Sequence, residues 1–130
     1  MIEFHLDART GVSPYRQIVD QVRRALRLGL LVEGDQLPTV KEVVGQLAIN
    51  PNTVLKAYKE LEHAGLVAPR PGVGTFVTAT LDGGPLAAHV PLRRELVRWL
   101  AKARRAGLDD ESIEALFQNS FRSAAEQDIA

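Results

Sequence analysis

The chain of 130 residues is long enough for one compact domain with a small appendage, and too short for two domains of ordinary size. Its 45% apolar content includes no run long enough to span a bilayer, and the absence of cysteine excludes disulfides and thiolate metal sites. Sixteen basic and sixteen acidic side chains cancel, which argues against a nucleic-acid partner until their distribution is considered. Residues 13–80 carry eight Lys/Arg and six Asp/Glu. Residues 92–106 carry Arg93, Arg94, Arg98, Lys102, Arg104 and Arg105 against Glu95 alone, and residues 107–130 carry six acidic side chains against Arg122. A basic helix followed by an acidic one suggests pairing, within a chain or across a dimer; the plainer reading is two solvated faces. The opening MIEFHLDART has no basic stretch followed by an apolar core, so no secretory signal is read and a cytoplasmic location is expected.

Ile2, Phe4 and Leu6 alternate with Glu3 and His5, a pattern that predicts a short strand. A helix is expected from Ser13, with the serine as cap and Pro14 at the first helical position. Tyr15, Ile18, Val22 and Leu26 form its inward stripe, and Gly29 and Gly34 mark its end and the turn leading to Leu37-Pro38. Thr39-x-x-Glu42 is a capping-box signature, predicting a short helix from Val40 to about Leu47 that buries Val43 and Leu47. After a tight turn at Ala48-Ile49-Asn50, a third helix begins with Asn50 as N-cap and Pro51 at its first position. Val54, Ala57, Tyr58 and Leu61 face inward, and Gly65 ends the helix.

The period then changes. Leu66–Pro69 and Thr75–Val77 are short extended runs around Arg70-Pro71-Gly72-Val73-Gly74, which predicts a β-hairpin. Leu81-Asp82-Gly83-Gly84-Pro85 has the composition of a linker. Two helical patterns occupy 88–106 and 109–127, broken at Gly107. Leu92, Leu96, Trp99, Leu100 and Ala103 stripe the first, and Ile113, Leu116, Phe117 and Phe121 the second. The expected fold is α+β, mostly helical: a winged helix-turn-helix over 1–80, a linker over 81–87 and a helical dimerisation hairpin over 88–130.

Two short helices joined by a tight turn match a helix-turn-helix, whose second helix enters the DNA major groove. Such a helix needs polar side chains at its N-terminal end, where backbone N–H groups and the positive dipole end can meet phosphate. Asn50, Asn52 and Thr53 supply them, Asn50 either as a cap, as a base contact or as both. Lys56 and Lys59 lie opposite the core stripe, placed for phosphate or base edges, or as ordinary surface lysines. In the wing, Arg70 is placed for the backbone or the minor groove, and Gly72 and Gly74 permit close approach to phosphate.

The stretch LPTVKEVVGQLAINPNTVLKAYKELEHAGLVAPRPGVGTFV, from Leu37 to Val77, closely resembles the DNA-binding domain of GntR-family bacterial transcription regulators. PYRQIVDQVRRALRLGLLVEGDQLPT before it is similar to that family's first helix and connecting loop, so the resemblance covers about residues 2–80. It implies DNA contacts from Thr39, Lys41, Asn50, Asn52, Thr53, Lys56, Arg70, Gly72 and Gly74. Many relatives carry Arg where this sequence has Lys41, Pro51 and Leu55, which shifts Lys41 toward phosphate contact, because lysine lacks the bidentate fork. Only about fifty residues lie beyond the head, as in the YtrA-type short subfamily. That likeness implies homodimers held by the C-terminal helices, often regulating membrane-transporter operons.

Two helices alone have too little mutual surface for a stable core, so a second copy is expected to cover Leu92, Leu96, Trp99, Leu100, Ile113, Leu116, Phe117 and Phe121. A C2 homodimer would bind an inverted-repeat operator and act as a repressor, with Gly83-Gly84 setting the spacing of its heads. No room for a conventional effector domain is expected. Any small-molecule effector, of unknown identity, would occupy a groove between head and hairpin, where His89 is a candidate lining residue or a plain surface histidine. His5, His63 and His89 lack paired ligand spacing, and no nucleophile arrangement or phosphate loop accompanies them. No catalytic site, cofactor, metal or membrane association is therefore expected. The rival reading is a winged-helix protein-interaction module without DNA binding.

Overall fold

The computed structural model describes residues 2–79, 81 and 86–129. Its helices and strands are α1 (Pro14–Arg27), α2 (Val40–Leu47), α3 (Pro51–His63), β1 (Val67–Arg70), β2 (Gly74–Val77), α4 (Leu86–Arg105) and α5 (Asp110–Ile129). They fall into two compact units, Met1–Leu86 and Ala87–Ala130. The linker read at Leu81–Pro85, with Gly83-Gly84, lies outside the described residues except for Leu81.

In the first unit, α1 starts on Pro14, whose locked φ suits the first helical position and whose missing N–H would have no partner there. Ser13 is extended before it, but its hydroxyl makes no capping hydrogen bond, so that part of the expected cap is absent. Ile18, Val22 and Leu26 are buried as the spacing predicts, and Val19 and Ala25 widen the stripe. Tyr15 is only half-buried. The capping box of α2 is complete: Thr39 Oγ1 accepts from the Glu42 N–H at 3.1 Å and donates to Glu42 Oε1 at 3.1 Å. Val43 is fully buried, whereas Leu47, expected inside, is half-buried at the helix end.

Ala48 comes after α2 with φ 54°, a left-handed conformation that costs a residue with a Cβ about 1–2 kcal/mol. The strain permits the tight turn into α3, which Asn50 caps by accepting from the Asn52 N–H at 2.9 Å. Val54, Ala57, Tyr58 and Leu61 are all buried, packing α3 against α1 and α2. Inside that core the Tyr58 hydroxyl donates to the Pro38 carbonyl at 2.6 Å. Burial, with Glu42 adding a smaller effect, pushes the Tyr58 phenol well above its usual range.

The alternating Ile2–Leu6 segment is extended and buries Phe4, but it joins no strand. Two glutamines of α1 take the place of a partner strand. Gln21 accepts from the His5 N–H at 3.1 Å and donates to the His5 carbonyl at 2.6 Å. Gln17 does the same at Asp7, at 2.8 and 3.0 Å. Alternation reports the segment's half-buried state correctly, but it says nothing about what satisfies the backbone.

The hairpin pairs Val67 with Val77 and Arg70 with Gly74. Val73 donates to the Arg70 carbonyl at 3.0 Å around Pro71-Gly72, with Gly72 at φ 77°, as a turn with Pro in the second and Gly in the third position requires. The outer edge of β2 is covered by the loop after α1: Leu37 N–H donates to Thr75 O at 2.8 Å and Val77 N–H to Asp35 O at 2.8 Å. This stretch, which the sequence presents as a plain turn, flanks the two-stranded sheet through an isolated bridge, with Gln36 opposite Phe76. The Gln36 amide sits where a Cβ on Gly74 would be, and donates to the Val73 carbonyl at 3.2 Å. Gly74 itself is at φ 149°, a conformation that residues with a Cβ rarely adopt.

The second unit is built from α4, Gly107 at φ 95°, and α5. Asp109 accepts from the Ser112 N–H at 2.8 Å, and bonding to Ser112 holds its carboxyl below the usual range. Among the described residues, the burial of apolar side chains is confined to the turn end. Ala103 and Ile113 are buried, Trp99 and Leu100 half-buried, and the two helices share no extended interface. Leu92, Leu96, Leu116, Phe117 and Phe121 are 43–66% exposed, with the Phe117 and Phe121 rings stacked at 6.0 Å. The anticipated pairing of basic and acidic helices comes to one exposed ion pair among the described residues, Arg104 with Asp110 at 3.2 Å.

Replacing Tyr58 by Phe keeps the packing but strands the Pro38 carbonyl, at an expected cost of about 1–2 kcal/mol in a denaturant titration with unchanged m-value. The raised phenol also makes wild-type stability fall as pH rises above about 10, because only the unfolded chain ionises this tyrosine readily. Tyr58→Phe should lose that component of the alkaline decline.

Candidate nucleic-acid interface

Each residue of α3 is turned about 100° from the last, so its buried residues fix the direction in which the others point. Opposite Val54, Ala57, Tyr58 and Leu61 lies a stripe of Asn52, Lys56, Lys59 and His63, all exposed. Three of these are legible from the sequence. His63 stands out in the sequence only as a histidine without paired metal-ligand spacing, although its spacing of four from Lys59 places it on the same face.

The first turn of α3 does not offer free backbone donors to phosphate, contrary to the expectation from sequence. Pro51 has no N–H, Asn52 donates to Asn50 Oδ1 at 2.9 Å, and Thr53 donates to Asn50 O at 3.0 Å. What this end offers is side chains and the positive end of the dipole. The exposed Asn50 uses its oxygen for the cap and keeps its amide donors. Asn52 projects an exposed amide, and Thr53 is half-buried.

Lys56 is held rather than loose. Its Nζ lies 4.0 Å from the centre of the Tyr15 ring, an arrangement worth about 0.5–1 kcal/mol at an exposed site. Tyr15 is itself fixed: its hydroxyl donates to Glu60 at 3.4 Å and accepts from Arg16 at 3.0 Å, and Arg16 pairs with Glu60 at 3.0 Å. Periodicity marks Tyr15 only as an inward apolar residue, and no local spacing links it to a lysine forty-one positions away.

In α2, the Thr39 hydroxyl proton is already committed to Glu42, so this residue serves the cap first. Lys41, beside the core-packed Val40, is exposed. In the wing, the Arg70 guanidinium lies 4.2 Å from the centre of the Phe76 ring, which keeps the cation extended along the hairpin. Gly72 faces open space at the tip beside Val73, which is 61% exposed, whereas Gly74 is closed off by Gln36. The candidate residues therefore come from three sources, the caps and exposed turns of α2 and α3 and the tip of the hairpin, all within the first compact unit.

His89, near the start of α4, is half-buried, and among the described residues its Nε2 has no hydrogen-bond partner. Among the described residues no cluster of His, Asp and Glu could hold a metal ion, and no helix is long and apolar enough to cross a membrane.

The sequence profile of bacterial regulatory proteins of the gntR family matches residues 14–77, from the start of α1 to the end of β2. The chain is 33% identical over 112 residues to the HTH-type transcriptional repressor YtrA of Bacillus subtilis (strain 168), a match covering 83% of this chain and 84% of that protein. It is 44% identical over 99 residues to the HTH-type transcriptional regulator YhcF of the same strain, covering 76% and 82%. Among solved structures it is similar to YtrA from Sulfolobus acidocaldarius, a GntR-family transcription factor, with TM-score 0.54 and 28% identity over 75% of this chain and 97% of that one. The likeness spans the winged helix-turn-helix and extends into the C-terminal helices, and the relatives are transcriptional regulators. The chain belongs to the GntR family of bacterial regulatory proteins, as a DNA-binding transcriptional regulator of its short, YtrA-type branch.

Proposed function

We propose that this regulator is a homodimeric repressor in which α3 enters the major groove of an inverted-repeat operator while the wing tracks the adjacent backbone. The observation that carries this reading is the outward stripe of Asn52, Lys56 and Lys59, polar and cationic along its whole length, on the second helix of a helix-turn-helix. Asn52 has the amide geometry for an adenine edge, and Asn50 retains two donors for a base or phosphate. Lys41, Lys56 and Arg70 neutralise phosphates, and Thr39, Thr53, Gly72 and Gly74 shape the surface that brings them there.

Dimerisation is supported by the apolar surface that α4 and α5 leave uncovered: Leu92, Leu96, Leu116, Phe117 and Phe121, continued by the half-buried Trp99 and Leu100, whereas Ile113 is already buried within the chain. A second copy buries these side chains and pairs two heads, doubling the operator contact. Repression is the activity named for the Bacillus subtilis relative YtrA, and a promoter-overlapping operator gives it a simple steric mechanism. A transporter operon as target and cytoplasmic action complete the proposal, the first by family resemblance.

Direct binding to duplex DNA across a salt series tests the head. Asn52→Ala and Lys56→Ala should each weaken operator binding without dissociating the dimer, and Lys56→Ala should lower the slope of log affinity against log salt by about one. Wild-type affinity and slope in both variants would remove α3 from the interface. The absence of any salt-dependent DNA binding would favour the protein-interaction module. For the second unit, sedimentation at micromolar concentration should give a dimer, and Phe117→Glu should give a monomer that keeps the melting behaviour of the head. A monomeric wild-type chain would contradict the assembly.

A further inference from the structure

Leu55 is 44% exposed, while Val54, Ala57, Tyr58 and Leu61 of the same helix are buried. A single exposed leucine is ordinary on a protein surface. The location of this one is less ordinary: it stands three residues after Asn52 and four before Lys59, hence next to both on the helix surface. Lys56 leans to the other flank of that face, where Tyr15 holds it at 4.0 Å. The early turns of α3 therefore present an amide, an apolar knob and an ammonium side by side, on the part of the helix that reaches base edges.

We propose that Leu55 selects thymine at one operator position by packing against its C5-methyl group. A leucine has no donor or acceptor, and the thymine methyl is the only apolar group that the base pairs display in the major groove. Against guanine, cytosine or adenine edges, the same side chain displaces water from polar groups and returns no hydrogen bond. The contact is thus attractive toward one base and unfavourable toward the other three. This inference rests on the DNA-binding reading above, and adds to it a base class for one residue.

The test selects duplexes from a random-sequence library with the wild-type protein and with Leu55→Ala. Each thymine of the enriched duplex is then replaced in turn by uracil, which removes only the methyl group. The wild-type protein should show one thymine position in each half-site whose replacement weakens binding about fourfold per methyl lost. Leu55→Ala, with an unchanged melting temperature because the side chain is outside the core, should bind the thymine and uracil forms of that duplex equally. If Leu55→Ala keeps the wild-type difference, or no position is sensitive to uracil in an enriched duplex, the assignment of Leu55 is overturned while DNA binding stands. If the wild-type protein enriches no duplex, both readings fall together.

Discussion

The hydrogen bond from Tyr58 to the Pro38 carbonyl joins α3 to the residue just before the cap of α2, and the reading head depends on the geometry it fixes. The turn between the helices is only Ala48 to Asn50, held partly by a left-handed alanine, and would not by itself set the angle between them. Leu61, Val54 and Ala57 supply the apolar contact that drives the helices together, but such contact is non-directional. The phenol adds direction; a tyrosine is a protonated donor at ordinary pH, and burial extends that to more alkaline conditions. With the core side of α3 fixed in this way, helical geometry alone sends Asn52, Lys56 and Lys59 outward. Loss of the anchor would rotate or tilt the whole polar stripe.

Two cations of the proposed interface lie on aromatic rings, Lys56 on Tyr15 and Arg70 on Phe76. Long basic side chains lose considerable rotamer freedom when they meet a phosphate, and that loss subtracts from affinity. A ring that already restricts the side chain moves part of the loss into folding. Tyr15 belongs to α1, so the first helix contributes to the proposed interface through a lysine of the third. The Arg16–Glu60 pair is partly exposed and adds little stability, but it holds Tyr15 in register with Lys56.

Much of the head is legible in the sequence because local chemistry dictates it. Thr39 with Glu42 and Asn50 with Pro51 mark helix starts that need no long-range information, and Gly65 marks a stop. The inward stripe of α3 is then given by periodicity, and the outward stripe by subtraction. Tertiary partners are not legible. The alternation at Ile2–Leu6 suits a strand equally well whether another strand or glutamine amides receive its backbone. The sheet edge covered by Asp35–Leu37 and the space that Gln36 takes above Gly74 depend on contacts across some forty residues. The placement of Thr39, by contrast, is dictated by its own motif: a hydroxyl committed to a capping box has no proton left to give elsewhere. In the second unit, the helices and their break at Gly107 can be read, while the confinement of burial to Trp99–Ile113 cannot, since apolar spacing does not reveal how far two helices remain in contact.

In the proposed complex, α3, held by the Tyr58 anchor, and the wing form the surface that meets DNA. Backbone amide chemical-shift mapping of the full chain, titrated with a duplex enriched from a random-sequence library, tests this most directly. The account predicts that the largest changes fall on Asn50–Lys59 and Arg70–Gly74. Changes concentrated on α4 and α5, with α3 unaffected at saturation, would contradict it.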